Sequence, residues 1–138
     1  MAIRYTLCKD ERLKREQHIQ TLFRSGKAFS VFPARIVWQL YPKGTEKFPT
    51  RVGFSVPKKK FRHATDRNRI KRLLREAWRH QKHTIYEQIP ADMQLHLFLI
   101  FTDVQLPTQE KITEVLIKGI SKLQAAISQD RQIINTPS

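Results

Sequence analysis

The chain has one cysteine, four glycines, and only twelve acidic residues against twenty-six lysines and arginines. Each scarcity excludes something. A lone Cys8 forbids an intrachain disulfide, and with it a disulfide-stapled secreted fold. Four dispersed glycines cannot build a glycine-rich phosphate loop. The twelve carboxylates are scattered, mostly beside Lys or Arg, with no acidic cluster of the kind two-metal nucleases use. No apolar run approaches the roughly 18 residues of a membrane-spanning helix, so no membrane partner is expected. The opening MAIRYTLCKDERLKRE lacks an apolar core of signal-peptide length, and the expected location is the cytoplasm.

Catalytic residues are equally scarce. Cys8 sits in a polar segment with no histidine near it in sequence. His80 and His83 are spaced i, i+3, half of a metal site at most, and two solvated histidines explain them more simply. His18, His63 and His96 are isolated. No self-contained enzyme is legible.

What is present is a single domain with an excess of charge. A chain of 138 residues, 40% of them hydrophobic, supports one core and is too short for two comfortable ones. Its formal charge of +14 disfavours the compact state by self-repulsion, and a polyanionic partner is the natural reason to carry it.

The periodicities give an order of elements. Residues 1–14 read as a loose arm, and REQHIQTLFRSG as a short helix with Ile19, Leu22 and Phe23 on one face. Gly26 stands where a helix end favours a left-handed residue. ARIVWQLY (34–41) and TRVGFSVP (50–57) read as paired antiparallel strands, with Pro57 ending the second. Thr65 or Asp66 can cap a helix whose stripe is Ile70, Leu73, Leu74, Ala77 and Trp78. LHLFLIF (95–101) reads as a central strand buried on both faces. LPT then opens a helix with the stripe Ile112, Val115, Leu116, Ile120, Leu123 and Ile127, and residues 129–138 read as a frayed tail. Helices layered on a sheet make an α+β fold, a two-layer α-β sandwich of order α-β-β-(β)-α-β-α.

The charge is focused. KKKFRHATDRNRIKRLLREAWRHQKH (58–83) holds eleven bases and two acids, so it supplies +9 of the +14. Asn68, Arg72, Arg75 and Arg79 fall opposite the apolar stripe, flanked by Arg67, Arg69 and Lys71. Arginine forks match phosphate bidentately, and Lys58, Lys59 and Lys60 precede the helix directly. The pattern is that of a polyanion-binding surface. A helix-turn-helix would need a second helix just before the basic one, where RVGFSVP is strand-like; sheet plus helix favours RNA. Phe23 and Trp38 are either stacking platforms or core residues, and Phe54 alternates with Val52 and Val56 as a core residue.

RVGFSVPKKKFRHATDRNRIKRLLREAWR resembles the signature of the bacterial ribonuclease P protein family. That signature is a strand R-[VL]-G-x-[ST]-V, a Lys-Lys pair, an Ala, and a helix R-N-R-x-K-R-x-x-R-E. It is met by Arg51, Val52, Gly53, Ser55, Val56, Lys58, Lys59, Ala64, Arg67, Asn68, Arg69, Lys71, Arg72, Arg75 and Glu76. RLKREQHIQTLFRSGK (12–27) is similar to the family's first helix.

The resemblance implies an α-β sandwich with a left-handed β-α-β crossover. It also implies removal of the 5′ leader from precursor tRNA by a catalytic RNA subunit with bound Mg²⁺, the protein acting as a monomer in the holoenzyme. Arg67, Asn68, Arg69, Lys71, Arg72, Arg75 and Arg79 would then bind the catalytic RNA. Arg12, Phe23, Trp38, Ser55, Lys58, Lys59 and Lys60 would line a cleft for the single-stranded leader. Two departures imply a weaker leader grip: Ile19 stands where the family often has an aromatic, and Thr102-Asp103 where many members have a base. A general RNA-binding protein and a stand-alone metal-dependent nuclease are the competing expectations.

Overall fold

The computed structural model describes residues 11–13 and 15–135. In chain order the elements are α1 (Glu16–Ser25), β1 (Lys27–Val31), β2 (Ala34–Pro42), β3 (Thr50–Ser55), α2 (Ala64–Tyr86), β4 (Met93–Phe101) and α3 (Gln109–Asn135). The four strands form one mixed sheet in the order β1-β2-β4-β3. β1 and β2 form an antiparallel hairpin through a cis Phe32–Pro33 bond, and β2 runs antiparallel to β4. β3 and β4 are parallel neighbours joined by α2. The α+β fold is as expected from sequence.

The strand pairing is not. β2 and β3 never touch, because β4 lies between them. β2 instead pairs with β1, whose KAFSV segment carries no strong strand signal. β4 is the central strand foreseen, buried along nearly its whole length.

The long helices bury the expected stripes, with Leu73 only partly covered. Ile70, Leu74, Ala77 and Trp78 of α2, and all six stripe residues of α3, pack on Ile36, Trp38 and Leu40 of β2 and Leu95, Leu97, Leu99 and Phe101 of β4. Burial of each such large side chain contributes about 1.5–3 kcal/mol. The other sheet face is partly roofed by α1, whose Leu22 closes a smaller cluster with Leu13, Val37 and Phe98.

Helix ends depart from the sequence expectations. The residue before α2 is His63, extended and without a side-chain cap bond, so neither Thr65 nor Asp66 caps it. At α3 the Thr108 hydroxyl accepts from the Lys111 amide, as an N-cap should. Gly26 is extended, at φ −76° and ψ 160°, rather than left-handed. What requires glycine there is crowding, since a Cβ would lie 2.4 Å from the Leu22 carbonyl oxygen.

The expected loose arm, 1–14, is described only at 11–13, and there, as at the expected frayed tail, the backbone is placed. Arg12 bridges to Val52, and the Leu13 amide donates to the Val52 carbonyl at 2.8 Å, so 11–13 runs along the free edge of β3. Residues 1–10, Cys8 among them, lie outside the described residues. The expected frayed tail is helical through Asn135, with only 136–138 outside the description.

Candidate nucleic-acid interface

α2 is long enough to separate two jobs. Its apolar stripe faces the core, and the opposite side gathers Thr65, Asn68, Arg69, Lys71, Arg72 and Arg75 around a shallow open concavity. Arg69 and Arg72 are exposed, and Lys71 and Arg75 are half-buried. Together they present cations with room for phosphates between them.

Two of the expected RNA-binding arginines have internal partners. Arg67 donates to the Phe61 and Arg62 carbonyls at 2.8 and 3.0 Å, holding the loop that leads into α2. Arg79 pairs with Glu76 at 2.6 Å, one turn back on the same helix. Both sets of partners are near in sequence, within α2 and the loop that leads into it.

A second surface lies on the α1 face of the sheet. α1 crosses the strands above Val37 and Phe98 and divides the face into two flanks. On one flank stand Ile19 and Phe23. Phe23 packs edge-on against Phe98, with centroids 5.1 Å apart, yet stays 47% exposed. Beyond α1 the strand registers set Ser55, Ile100 and Arg35 in one row, and the strip of sheet between that row and α1 is the candidate groove. Ser55 is half-buried and Arg35 exposed. Exposed Lys58, Lys59 and Lys60 form the turn that follows β3, and Arg12 pairs with Val52 on the outer edge of that strand.

Trp38 must be removed from this set. It is 1% exposed and lies in the cluster on the α2/α3 face, where it cannot stack an RNA base. The side chain of β2 that looks into the α1 face at this level is Val37. β2 is covered on both faces, so its apolar residues do not alternate and the sequence gives no clue to which face Trp38 takes. Phe54, read as core, does pack against the main cluster.

Two groove residues escaped the sequence reading. Arg35 lies inside a strand pattern, and Phe98 inside a uniformly apolar run. Phe98 takes the space above Gly53, where a Cβ would lie 2.6 Å from its ring. The departure at Thr102-Asp103 is also visible: the Lys60 ammonium donates to the Thr102 carbonyl, and the Asp103 carboxylate accepts from the Val104 amide.

The other flank of α1 is polar. His18, Thr21, Tyr41, Glu46, Gln94 and His96 line a pocket there. His96 donates from Nε2 to the Gln94 carbonyl oxygen at 3.0 Å, because the Gln94 amide nitrogen is already donating to Phe48. Burial, reinforced by His18 and Arg51, pushes the His96 pKa down to about 4. Glu46 is held below the usual carboxylate range by its hydrogen bond from Arg51, 2.7 Å away.

The donor set for a divalent ion is poor. Among the described residues no three His, Cys, Asp or Glu side chains gather as a metal site, and the groove is lined by cations and apolar groups. These residues do not fit Mg²⁺. Among the described residues, too, no helix is long and apolar enough to cross a membrane.

Known proteins resemble this chain in sequence and in fold. The family model described as Ribonuclease P matches residues 7–124. A ribonuclease P protein component of Porphyromonas gingivalis is 35% identical over 121 residues, covering 86% of this chain and 87% of that protein. One from Nitrosomonas eutropha is 32% identical over 109 residues, covering 79% and 88%. Among solved structures, the Staphylococcus aureus RNase P protein superposes with a TM-score of 0.65 at 22% identity, covering 82% of this chain and 94% of that one. The Thermotoga maritima RNase P protein gives 0.60 at 23%, covering 78% and 93%.

Proposed function

The chain belongs to the ribonuclease P protein family, and from that premise we propose how its two surfaces serve the processing of precursor tRNA. As a ribonuclease P protein component, it works with the RNA subunit of that enzyme. The outer side of α2, with Asn68, Arg69, Lys71, Arg72 and Arg75, binds the catalytic RNA. The groove between α1 and the sheet holds the single-stranded 5′ leader. Phe23 stacks a base, and Lys58 and Lys59 hold the adjoining phosphates without reading sequence. Arg12 and Ser55 complete the groove.

Hydrolysis of the phosphodiester is assigned to the RNA subunit and its Mg²⁺, with the protein supplying binding and no catalytic group. The protein acts as one copy per holoenzyme in the cytoplasm. The observation that carries the leader assignment is Phe23. It is an aromatic left 47% exposed on α1, where Leu22 alone is buried, and it is seated edge-on against Phe98.

Reconstitution tests the reading. The purified chain is incubated with precursor tRNA and Mg²⁺, with and without the catalytic RNA. Cleavage in the complete mixture only is the expected result, and cleavage by the chain alone would mark a stand-alone nuclease. In the holoenzyme, Phe23→Ala should weaken precursor binding by roughly 1–3 kcal/mol and leave mature tRNA, which has no leader, nearly unaffected. A ratio of the two dissociation constants that Phe23→Ala does not change removes the leader from the groove.

A further inference from the structure

Five large hydrophobic side chains are exposed among the described residues: Phe23, Phe32, Val104, Leu106 and Ile117. Isolated examples need no explanation, but three of these five sit on two adjoining loops at one end of the sheet. Phe32 is in the β1–β2 turn and 67% exposed; Val104, 65% exposed, and Leu106 are in the β4–α3 loop. The loops are tied together, since the Thr102 amide donates to the Pro33 carbonyl at 2.8 Å. The Thr102 carbonyl in turn accepts from Lys60, which joins the same end to the lysine turn. Arg35, the exposed cation of the row through Ser55, lies three residues after Phe32, a chain reach of at most about 11 Å.

We propose that the Phe32 end of the sheet is a second stacking site for single-stranded RNA, engaged by leader nucleotides that run past the groove. This rests on the leader assignment above and extends it. Arg35, Lys58 and Lys59 would bridge the two aromatic stations by holding intervening phosphates, and the phenyl face of Phe32 would take a base of any identity. Charge selects the occupant. An apolar patch tied to Lys60 and within a short chain reach of Arg35, on a chain of net charge +14, suits a polyanion with exposed bases. Phe32 also offers an aromatic at the end of the molecule where Thr102-Asp103 offers no base.

The test uses holoenzyme reconstituted with the RNA subunit and precursor tRNAs whose leaders are lengthened one nucleotide at a time. With the wild type, affinity should rise in two steps as the leader grows. Phe32→Ala should abolish the second step, a loss of about five- to a hundredfold for long leaders, and leave short leaders unchanged. Phe32→Trp should restore it, and Phe23→Ala should remove the first step. Loss of the first step alone, with Phe32→Ala silent at every length, overturns this proposal and leaves the groove reading standing. If both variants are silent, both readings fall. Equal weakening of leaderless tRNA by Phe32→Ala also overturns the proposal, because the patch would then touch another RNA. So would a wild-type dimer in sedimentation that Phe32→Ala dissolves while RNA binding is unmoved, which would make the occupant a second copy.

Discussion

The Lys82 ammonium lies 2.7 Å from the Glu11 carboxylate, and both side chains are almost wholly buried. The Tyr86 hydroxyl also donates to that carboxylate, and Thr50 donates to the Tyr86 oxygen at 2.9 Å. The pair fastens the segment before α1 to the far half of α2, across seventy-one positions of sequence. Removing one partner leaves the other charge buried without its ion pair. Lys82→Met should therefore destabilise folding by about 3–5 kcal/mol, whereas Glu11→Leu with Lys82→Met should cost much less. Urea unfolding of the two variants checks this, and equal losses would mean the pair is not a coupled unit.

His96 predicts an acid weakness. Its folded pKa of about 4 lies below the unfolded value near 6.5, so between these limits the unfolded chain binds the extra proton. Stability should be flat above neutrality and decline as pH falls through that window, by up to about 3 kcal/mol from this group. The His18 and Tyr41 rings both pack against His96, with centroids 5.4 and 4.7 Å away. His96→Gln keeps a donor toward Gln94 and removes the titration. Its unfolding free energy should vary less between pH 7 and pH 4.5 than that of the wild type.

On α2 the arginines should separate by role. Arg69→Ala and Arg72→Ala should each weaken binding of the catalytic RNA by roughly 1–3 kcal/mol without lowering stability, since neither packs in the core. Arg67→Ala should also lower stability, through its two lost carbonyl bonds. Trp78→Ala, at a fully buried position, should cost about 3–5 kcal/mol of folding. If the surface contacts about six phosphates, affinity should fall on the order of a thousandfold between 50 and 200 mM salt. Binding titrations and denaturant melts on the same four proteins give every number.

Gly53 and Phe98 make a coupled prediction. A methyl on Gly53 would meet the Phe98 ring at 2.6 Å, so Gly53→Ala should destabilise by about 1–3 kcal/mol. Because Phe23 rests on that ring, the same variant should also weaken leader binding. Gly53→Ala with Phe98→Leu should recover stability but not the leader affinity. Recovery of both would show that Phe23 does not need Phe98 beneath it.

The sequence by itself determined the helix stripes, the central strand and the basic face of α2. These follow from periodicity within one element, and the ordering of Ile70, Leu74 and Trp78 around a helix needs no partner. The family signature from Arg51 to Glu76 was equally legible, because its spacing is local. The tertiary structure alone decided that β4 separates β2 from β3, since which strand pairs with which depends on contacts far apart in sequence. It decided the face of Trp38 for the same reason, as helices on both sides of β2 erase the polar alternation that would have oriented it. It also made Glu11 a buried counter-ion and put Arg35 in line with Ser55. A side chain's charge is written in the sequence, but what it is spent on depends on which distant atoms folding brings within hydrogen-bonding distance.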